Sequence, residues 1–358
     1  MSPSSRSGWL AAVWWAAVSW AVVIAVGCAH TGAPGTARAT VGPQVAVVAA
    51  GSTEDGPPPR ALSPLTSDEL ALRGELEKEV GALAELGPRS LAHTWNLYSA
   101  TDHLARRLEI LGHQVVRLGF PVGDEVLQNL EVIVPGRTAQ TLVVAAHYDT
   151  SAESPGVNAS ASGAAVLLTL AKQLAGRPLE RSLRMVWLCN EVPGTVPPGS
   201  AVYAKHVQQA QVPVVATLTL GSLGYYSLAS GSQRYPEDLL YGAETRTHFA
   251  DFIAVLSNAA SNGLLEHVRP VLSAASLPVE ELILPDSAPL AADGPQARFW
   301  SAGLLGLALT DTAQFRSQHF DDPLDTLDKL DFDRLARVAK LLDELVMSIA
   351  GARVSATP

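Results

Sequence analysis

Three residues with acid–base or metal-binding side chains follow two apolar stretches of the chain. His147 and Asp149 come directly after Thr141–Ala146, and Glu191 comes just after Arg184–Cys189. Short apolar runs of this kind are typical of strands that are buried on both faces. Imidazole and carboxylate groups transfer protons and bind metal ions. If the two runs are neighbouring strands, one rim of the sheet carries all three groups.

The residues between these runs predict the elements that place them there. Ala164 to Leu174 is apolar enough for a buried helix, and Ser162 is a candidate N-cap. The order is therefore strand, loop, helix, strand and loop, from Thr141 to Ser200. In open α/β sheets, ligands bind at the carboxyl ends of the strands. The predicted rim is thus a candidate functional site.

The flanking sequence predicts further helices and strands. Thr66 or Ser67 is the expected cap of a helix over Leu65–Leu86, with acidic residues in its first turn. Periodicity and breakers predict three more helices, at Thr94–Leu111, at Phe249–Val268 (ending before Pro270) and at Phe332–Ile349. Further strands are predicted at His113–Phe120, Leu127–Val134 and Leu304–Leu309. About 290 residues, 63–352, are enough for one large α/β domain, followed by a tail at 353–358.

Several motifs in this order resemble metallopeptidase family twenty-eight, the co-catalytic zinc aminopeptidases. They are HYD at 147–149, PGVNASASG at 155–163, NEVP at 190–193, LTLGSLGYYSLASGSQRYP at 218–236 and RFWSAGLLGLALTDTAQFRSQHFDDPLDTLDKLD at 298–331. The resemblance covers roughly 65–350. It implies a three-layer α/β/α sandwich around a mixed, mostly parallel sheet. It also implies that His147 is at a metal-ligand position and that Asp149 steadies the site behind it.

The same resemblance shows substitutions at the metal-ligand positions. The Asp that bridges the two zinc ions in the family is Ala159 here, and a further carboxylate position is Gly221. A His ligand position is Asp321, whereas the family's S-D-H triplet is 294–296, Gly-Pro-Gln. Catalytic zinc takes three protein ligands of N, O or S type, and carboxylates hold a two-metal pair together. Alanine and glycine side chains supply no donor.

The family's paired Glu has become a single Glu, and two registers are open. If NEVP aligns with N-E-E-P, then Glu191 is at the general-base position and Val192 replaces a ligand. If NE aligns with E-E, then Asn190 replaces the base and Glu191 is the ligand. We favour the first register because Asn190 and Pro193 both fit it. In either register one role is lost.

These substitutions predict a protein that keeps the peptidase fold without the peptidase activity and binds a peptide or protein partner. Glu191 and Asp149 would be vestigial catalytic residues, and His147 and Asp321 vestigial metal ligands. No cofactor is expected in this case. The alternative is a divergent zinc aminopeptidase with one metal held by His147, Glu191 and Asp321. Candidate ligand contacts from the family motifs are Tyr225, Tyr226 and Trp300.

The N-terminus predicts a targeting segment. Trp9 to Gly27 is almost continuously apolar and ends in AVGC, so residues 1–27 resemble a bacterial lipoprotein signal with Cys28 as the lipidated residue. An uncleaved membrane anchor is the alternative, because the apolar stretch is long enough to span a bilayer. Residues 28–62, rich in Gly, Pro and Ala, predict a flexible tether. We expect the domain at the bacterial cell envelope, outside the cytoplasm.

The charge and cysteine content exclude some functions. The chain has 25 Lys and Arg against 35 Asp and Glu, a net charge of −10. Such an acidic chain argues against nucleic acid as a partner and against a polybasic membrane patch. Only two cysteines are present. With Cys28 acylated, Cys189 has no partner and is expected to be a small buried apolar residue.

Overall fold

The chain folds around one eight-stranded sheet with helices on both faces. The structure is a computed structural model that describes residues 59–192, 194–236, 246–285, 288 and 294–351. The helices are α1 Ser67–Ala84, α2 Thr94–Ile110, α3 Ser162–Gln173, α4 Gly199–Gln209, α5 Asn262–Ser273, α6 Gly294–Ser301 and α7 Phe332–Ala350. The strands are β1 Val115–Val122, β2 Glu125–Val134, β3 Thr138–His147, β4 Arg181–Leu188, β5 Val214–Leu220, β6 Ile253–Asn258, β7 Val279–Leu284 and β8 Gly306–Thr310.

The sheet is mixed, as the sequence predicts. Its strand order is β1-β2-β4-β3-β5-β8-β6-β7. The four central strands β4, β3, β5 and β8 are parallel to one another, and β6 is parallel to β7. The remaining pairings, β1 with β2, β2 with β4, and β6 with β8, are antiparallel. The carboxyl ends of the four central strands therefore meet at one edge, where open α/β sheets bind ligands.

Side chains of β3 alternate between two cores, and this alternation produces the three layers. Leu142, Val144 and Ala146 belong to the core that α1, α3 and α7 cover. Val143 and Ala145 pack in a separate cluster with Tyr203 and Phe299, which lie in α4 and α6. Successive residues of a strand face opposite sides of the sheet. The predicted α/β/α arrangement is confirmed.

The helix predicted over Phe249–Val268 is wrong. The chain instead forms β6 and then α5, which continues through Pro270 to Ser273. All six residues of β6 are buried, and periodicity cannot distinguish a short run buried on both faces from a helix. Pro270 is exposed near the end of α5, where buried Leu265 and Leu272 on either side pack the helix against the core. This packing offsets the hydrogen bond that proline removes.

Ser162 is not the N-cap of α3. A π-helical turn over Val157–Ala161 runs directly into the helix. The Ser162 hydroxyl donates to the carbonyl of Asn158 at 2.6 Å and accepts from the amide of Leu223 at 3.1 Å. Helix α3 approaches β5 so closely that a Cβ on Gly163 would lie 2.8 Å from the carbonyl oxygen of Gly221. The glycine in this motif therefore permits close packing of the helix against the sheet.

Other elements match their predictions with shifted ends. Thr66 is the cap of α1 and forms a capping box with Glu69, and α7 begins at Phe332 as predicted. The strand predicted over Thr141–Ala146 extends from Thr138 to His147, so His147 is its last residue. Strands predicted at His113–Phe120, Leu127–Val134, Arg184–Cys189 and Leu304–Leu309 correspond to β1, β2, β4 and β8. Strands β5 and β7 and helices α4 and α6 were not predicted.

The predicted signal at 1–27 and almost all of the tether at 28–62 lie outside the described residues, as does the tail at 353–358. Those boundaries, and the lipidation of Cys28, therefore stay predictions. Among the residues that the structure describes, no helix is long and apolar enough to cross a membrane. Cys189 is fully buried and forms no disulfide, which confirms its prediction as a core residue.

Candidate ligand-binding cleft

A cavity of about 190 Å³ opens at the carboxyl ends of the central parallel strands. Four strand ends supply part of its lining. His147 ends β3, Glu191 follows β4 by three residues, Gly221 follows β5 directly, and Thr310 ends β8. The cavity is therefore a product of the parallel register, because these ends lie at one edge of the sheet. We call this cavity the first lobe of the cleft.

The first lobe brings together the polar residues that the sequence singles out. His147, Asp149, Glu191 and Asp321 all line it. Asp321 is exposed and has a left-handed backbone conformation, with φ of 57°. The adjacent Asp322 accepts a hydrogen bond from the amide of Leu324 at 2.8 Å and so caps its own loop. The structure therefore brings all four side chains to the lining of one cavity.

Asp149 is directed at the protein backbone. Its Oδ2 atom accepts hydrogen bonds from the amides of Glu191 at 2.7 Å and Val192 at 3.2 Å. Its Oδ1 atom lies 3.4 Å from Nδ1 of His147, which is longer than an ordinary hydrogen bond. Burial lowers the pKa of His147, but the Asp149 carboxylate beside it, helped by the charges of Glu191 and Asp321, raises that pKa overall. Asp149 thus fixes the loop after β4 and favours the charged form of His147.

The Glu191 carboxylate also makes hydrogen bonds within the protein. Its carboxylate accepts from the amide of Ser200 at 2.5 Å and from the Ser200 hydroxyl at 2.8 Å. Ser200 lies in the first turn of α4, where unpaired amides and the helix dipole favour a negative group. Burial and then the nearby Asp149 raise the pKa of Glu191 to about 7, although the hydrogen bonds from Ser200 oppose this shift. Both carboxylate oxygens are therefore occupied in capping a helix.

Three positions that the resemblance equates with metal ligands line the same lobe with side chains that offer no metal donor. They are Ala159, Gly221 and, in the favoured register, Val192. Among the residues that the structure describes, no group of three His, Cys, Asp or Glu side chains is arranged to hold a metal ion. Zinc prefers imidazole, thiolate and carboxylate ligands. The side chains present therefore do not fit the zinc pair that the resemblance implies.

The three aromatic residues expected to contact a ligand lie outside the lining of the first lobe. Two guanidinium groups lie close to the Tyr226 ring, with Cζ of Arg316 5.6 Å and Cζ of Arg334 5.4 Å from the ring centre. Trp300 donates from its ring nitrogen to the carbonyl of Gly306 at 3.1 Å and packs against a buried cluster. The amide of Tyr225 donates to Asp311 at 2.8 Å. In the structure these residues make contacts within the protein.

A buried arginine that no sequence motif marks also shapes the cleft. Arg89 is fully buried, and its guanidinium donates to the carbonyls of Tyr148 at 2.8 Å and Pro155 at 2.8 Å. It also donates to the Ser160 hydroxyl at 2.9 Å and to further carbonyls, those of Leu83, Gly87 and Gly156. Burial lowers its pKa to about 10, opposed by the charges of Asp149 and Asp325. Arg89 therefore joins the loop after β3 to the turn that begins α3.

Two buried carboxylates hold the same turn from the other side. Asp325 accepts from the amides of Asn158 at 2.9 Å and Ala159 at 3.0 Å. Asp311 accepts from the side-chain amide of Asn158 at 2.9 Å and from the amide of Ala313 at 2.8 Å. We call Arg89, Asp311 and Asp325 the support residues. Both carboxylates lie within quoted motifs, but sequence alone gave no sign that they bind backbone amides.

Comparisons with known proteins agree with this fold. The model of the family described as Peptidase family M28 matches residues 129–346. The uncharacterized protein YfbL of Escherichia coli K12 is 26% identical over 276 residues, which is 74% of this chain and 84% of that protein.

Two solved structures resemble the chain at low sequence identity. The LapA aminopeptidase of Legionella pneumophila has a TM-score of 0.62 at 14% identity, over 82% of this chain and 77% of that one. The glutaminyl cyclase of Fimbriiglobus ruber has a TM-score of 0.58 at 19% identity, over 81% and 98%. At such identities these structures show the fold alone.

Proposed function

The protein belongs to Peptidase family M28, and from that premise we propose that it is a non-catalytic member that binds a peptide or protein ligand in the cleft. The observation that carries this proposal is the lining of the first lobe. Ala159, Val192 and Gly221 occupy ligand positions there, and Glu191 is engaged by Ser200. A cleft that keeps its shape but has no metal-binding side chains at these positions is suited to binding a peptide without hydrolysing it.

The fold does not choose between activities, because it is shared by an aminopeptidase and a glutaminyl cyclase. The alternative is a divergent zinc aminopeptidase with one metal held by His147, Glu191 and Asp321. Against it, both oxygens of Glu191 already accept hydrogen bonds from Ser200. Binding a metal through Glu191 would require this helix cap to be given up, at a cost of about 0.5–2 kcal/mol for a typical cap.

An assay of the purified full chain tests the proposal. Substrates are aminoacyl p-nitroanilides and a peptide with N-terminal glutamine, each with added zinc. We expect turnover no faster than that of Glu191→Ala, because without a metal no carbonyl is polarised and water keeps a pKa near ~15.7 rather than ~7. Zinc-dependent turnover that Glu191→Ala or His147→Ala abolishes would establish an enzyme and refute the proposal.

We further propose that the protein is attached to the cell envelope by acyl chains on Cys28. The sequence around Cys28 supports this proposal, and stable attachment needs more than a single acyl chain. Cys28→Ala is expected to release soluble protein or to block processing of the precursor. A Cys28→Ala protein that stays in the membrane at full precursor length would instead indicate a spanning helix.

A further inference from the structure

A second cavity adjoins the first lobe on the far side of the loop after β3. It has a volume of about 220 Å³ and is formed by the segment before α2 and the loop after β4. Its apolar lining includes Leu91, Ala92, Leu97 and Ala152. None of these residues is at a metal-ligand position of the family motifs quoted above. We call this cavity the second lobe.

The two lobes share one wall. Asp149, Thr150, Ser151 and Val192 line both of them. Val192 is the position where the favoured register replaces a family glutamate. A carboxylate at this point would place a charge in both lobes at once, and desolvating it would be costly. Valine removes a metal donor and leaves an apolar side chain on the wall between the lobes.

The sizes of the two lobes indicate that one ligand occupies both. Small-molecule pockets typically measure about 300–1,000 Å³. The first lobe, at about 190 Å³, and the second, at about 220 Å³, are each below that range. Together they fall within it. A ligand that fills both lobes would therefore bury much more of its surface than one confined to either lobe.

The shared wall also has polar atoms suited to a peptide backbone. Oγ of Ser151 is buried and has no hydrogen-bond partner among the described residues, and Oδ1 of Asp149 has only its 3.4 Å contact with Nδ1 of His147. Asp149 as a whole is only 3% exposed. A carboxylate oxygen accepts from a peptide N–H, and a serine hydroxyl donates to a peptide carbonyl. A peptide crossing the wall can therefore give the Ser151 hydroxyl a partner and give Oδ1 of Asp149 a shorter contact than the one it has with His147.

We propose that the cleft binds an extended peptide with two apolar side chains two residues apart, one in each lobe. In an extended chain, residues i and i+2 point to the same side and lie about 6.6 Å apart along the strand. The backbone between them crosses the wall at Asp149 and Ser151. This inference rests on the proposed binding function and specifies its ligand.

Fluorescence anisotropy with the full chain and labelled, end-blocked pentapeptides tests the inference. The probes are Gly-Leu-Ala-Leu-Gly, its two single-Leu versions with serine at the other position, and Gly-Ser-Ala-Ser-Gly. Because burying a leucine side chain is favourable, the two-Leu peptide should bind about tenfold or more tightly than either single-Leu peptide. The serine peptide should bind weakest.

Two variants test whether the tighter binding of the two-Leu peptide depends on the second lobe. Leu91→Arg places a charge there, and Leu91 is 37% exposed, so the fold should tolerate the change. We expect the two-Leu peptide to fall to within about twofold of the better single-Leu peptide. Ala152→Trp fills the same lobe and should act alike. Leu70→Arg is the matched control, since Leu70 is exposed and lines neither lobe.

The outcomes separate the two proposals. If Leu91→Arg and Ala152→Trp leave the two-Leu advantage unchanged, or if the wild type shows no advantage, the second lobe is not a ligand site and the inference fails. Peptide binding to the first lobe would then still support the proposed function. If no probe binds, the inference fails as well. If unblocked probes are cleaved with zinc, the proposed function itself fails.

Discussion

The lining of the cleft and the support residues behind it have different characters. Arg89, Asp311 and Asp325 are buried, and each makes at least two hydrogen bonds to the backbone or to a buried side chain. In the lining, Ala159, Val192 and Gly221 make no polar side-chain contact, and Glu191 binds its own chain. The difference teaches that the residues that fix the shape of the cleft are separate from those that line it, so the lining can change while the shape is kept.

The strongest test of this contrast between lining and support residues is to restore metal-binding side chains to the lining. The variant Ala159→Asp, Val192→Glu, Gly221→Glu, Asp321→His restores the family's residue types at four positions. A Cβ on Gly221 would meet its nearest atoms at 3.5 Å or more, at Thr310, which is ordinary van der Waals contact. If the support residues preserve the site's geometry, the variant should bind zinc, an effect of about 10 kcal/mol for a well-formed site.

Isothermal titration of the variant with zinc, beside the wild type, measures that effect. Restoring only Gly221→Glu is the control, because one carboxylate cannot complete a three-ligand site. A folded fourfold variant that takes up no zinc would show that the support residues no longer hold a family-like geometry.

A smaller effect is expected from removing a support residue. Arg89→Met keeps much of the side-chain volume but leaves several carbonyls and the Ser160 hydroxyl without their donor. We expect the free energy of unfolding to fall by about 3–5 kcal/mol, as for other buried polar networks that lose a charged partner. Urea denaturation measures it. The control is Arg106→Met on the exposed face of α2, which should change stability by less than about 0.5 kcal/mol. If both variants lost the same stability, Arg89 would not be a support residue.

The pH dependence of stability gives the smallest effect. Burial raises the pKa of Asp325 to about 6, although the amides of Asn158 and Ala159 oppose the shift. Because this folded pKa lies above the unfolded value, the protonated group stabilises the fold at low pH. That contribution is fully present below about pH 4 and is lost as pH rises through about 6.

Asp325→Asn isolates this contribution. The difference in stability between the wild type and the variant should change by up to about 3 kcal/mol between pH 4 and 7, the wild type losing more. Urea titrations at several pH values measure it, and Asp322→Asn, at a half-buried loop carboxylate, serves as the control. A difference independent of pH would mean that Asp325 is ionised throughout.

The residues that line the cleft could be predicted from the sequence better than the support residues could. His147, Asp149, Glu191 and Asp321 stand in motifs at strand ends or loops, so parallel strands were enough to bring them together. Arg89 lies 67 and 71 residues before its partners Gly156 and Ser160 in the turn that it holds, and no local pattern marks a contact at that separation. The error at β6 has a similar origin, since a strand buried on both faces has no period to read. Tyr226 and Trp300 were placed from motif likeness, which carries no information about which way a side chain points.

Metal content tests the central claim most directly. The purified full chain and His147→Ala are each loaded with zinc, dialysed, and analysed for zinc per chain. We predict less than stoichiometric zinc in both and no difference between them, because the lining lacks the bridging carboxylate at Ala159 and a donor at Gly221. Two tightly held zinc ions per wild-type chain, lost in His147→Ala, would contradict the account and show that the metal site is intact.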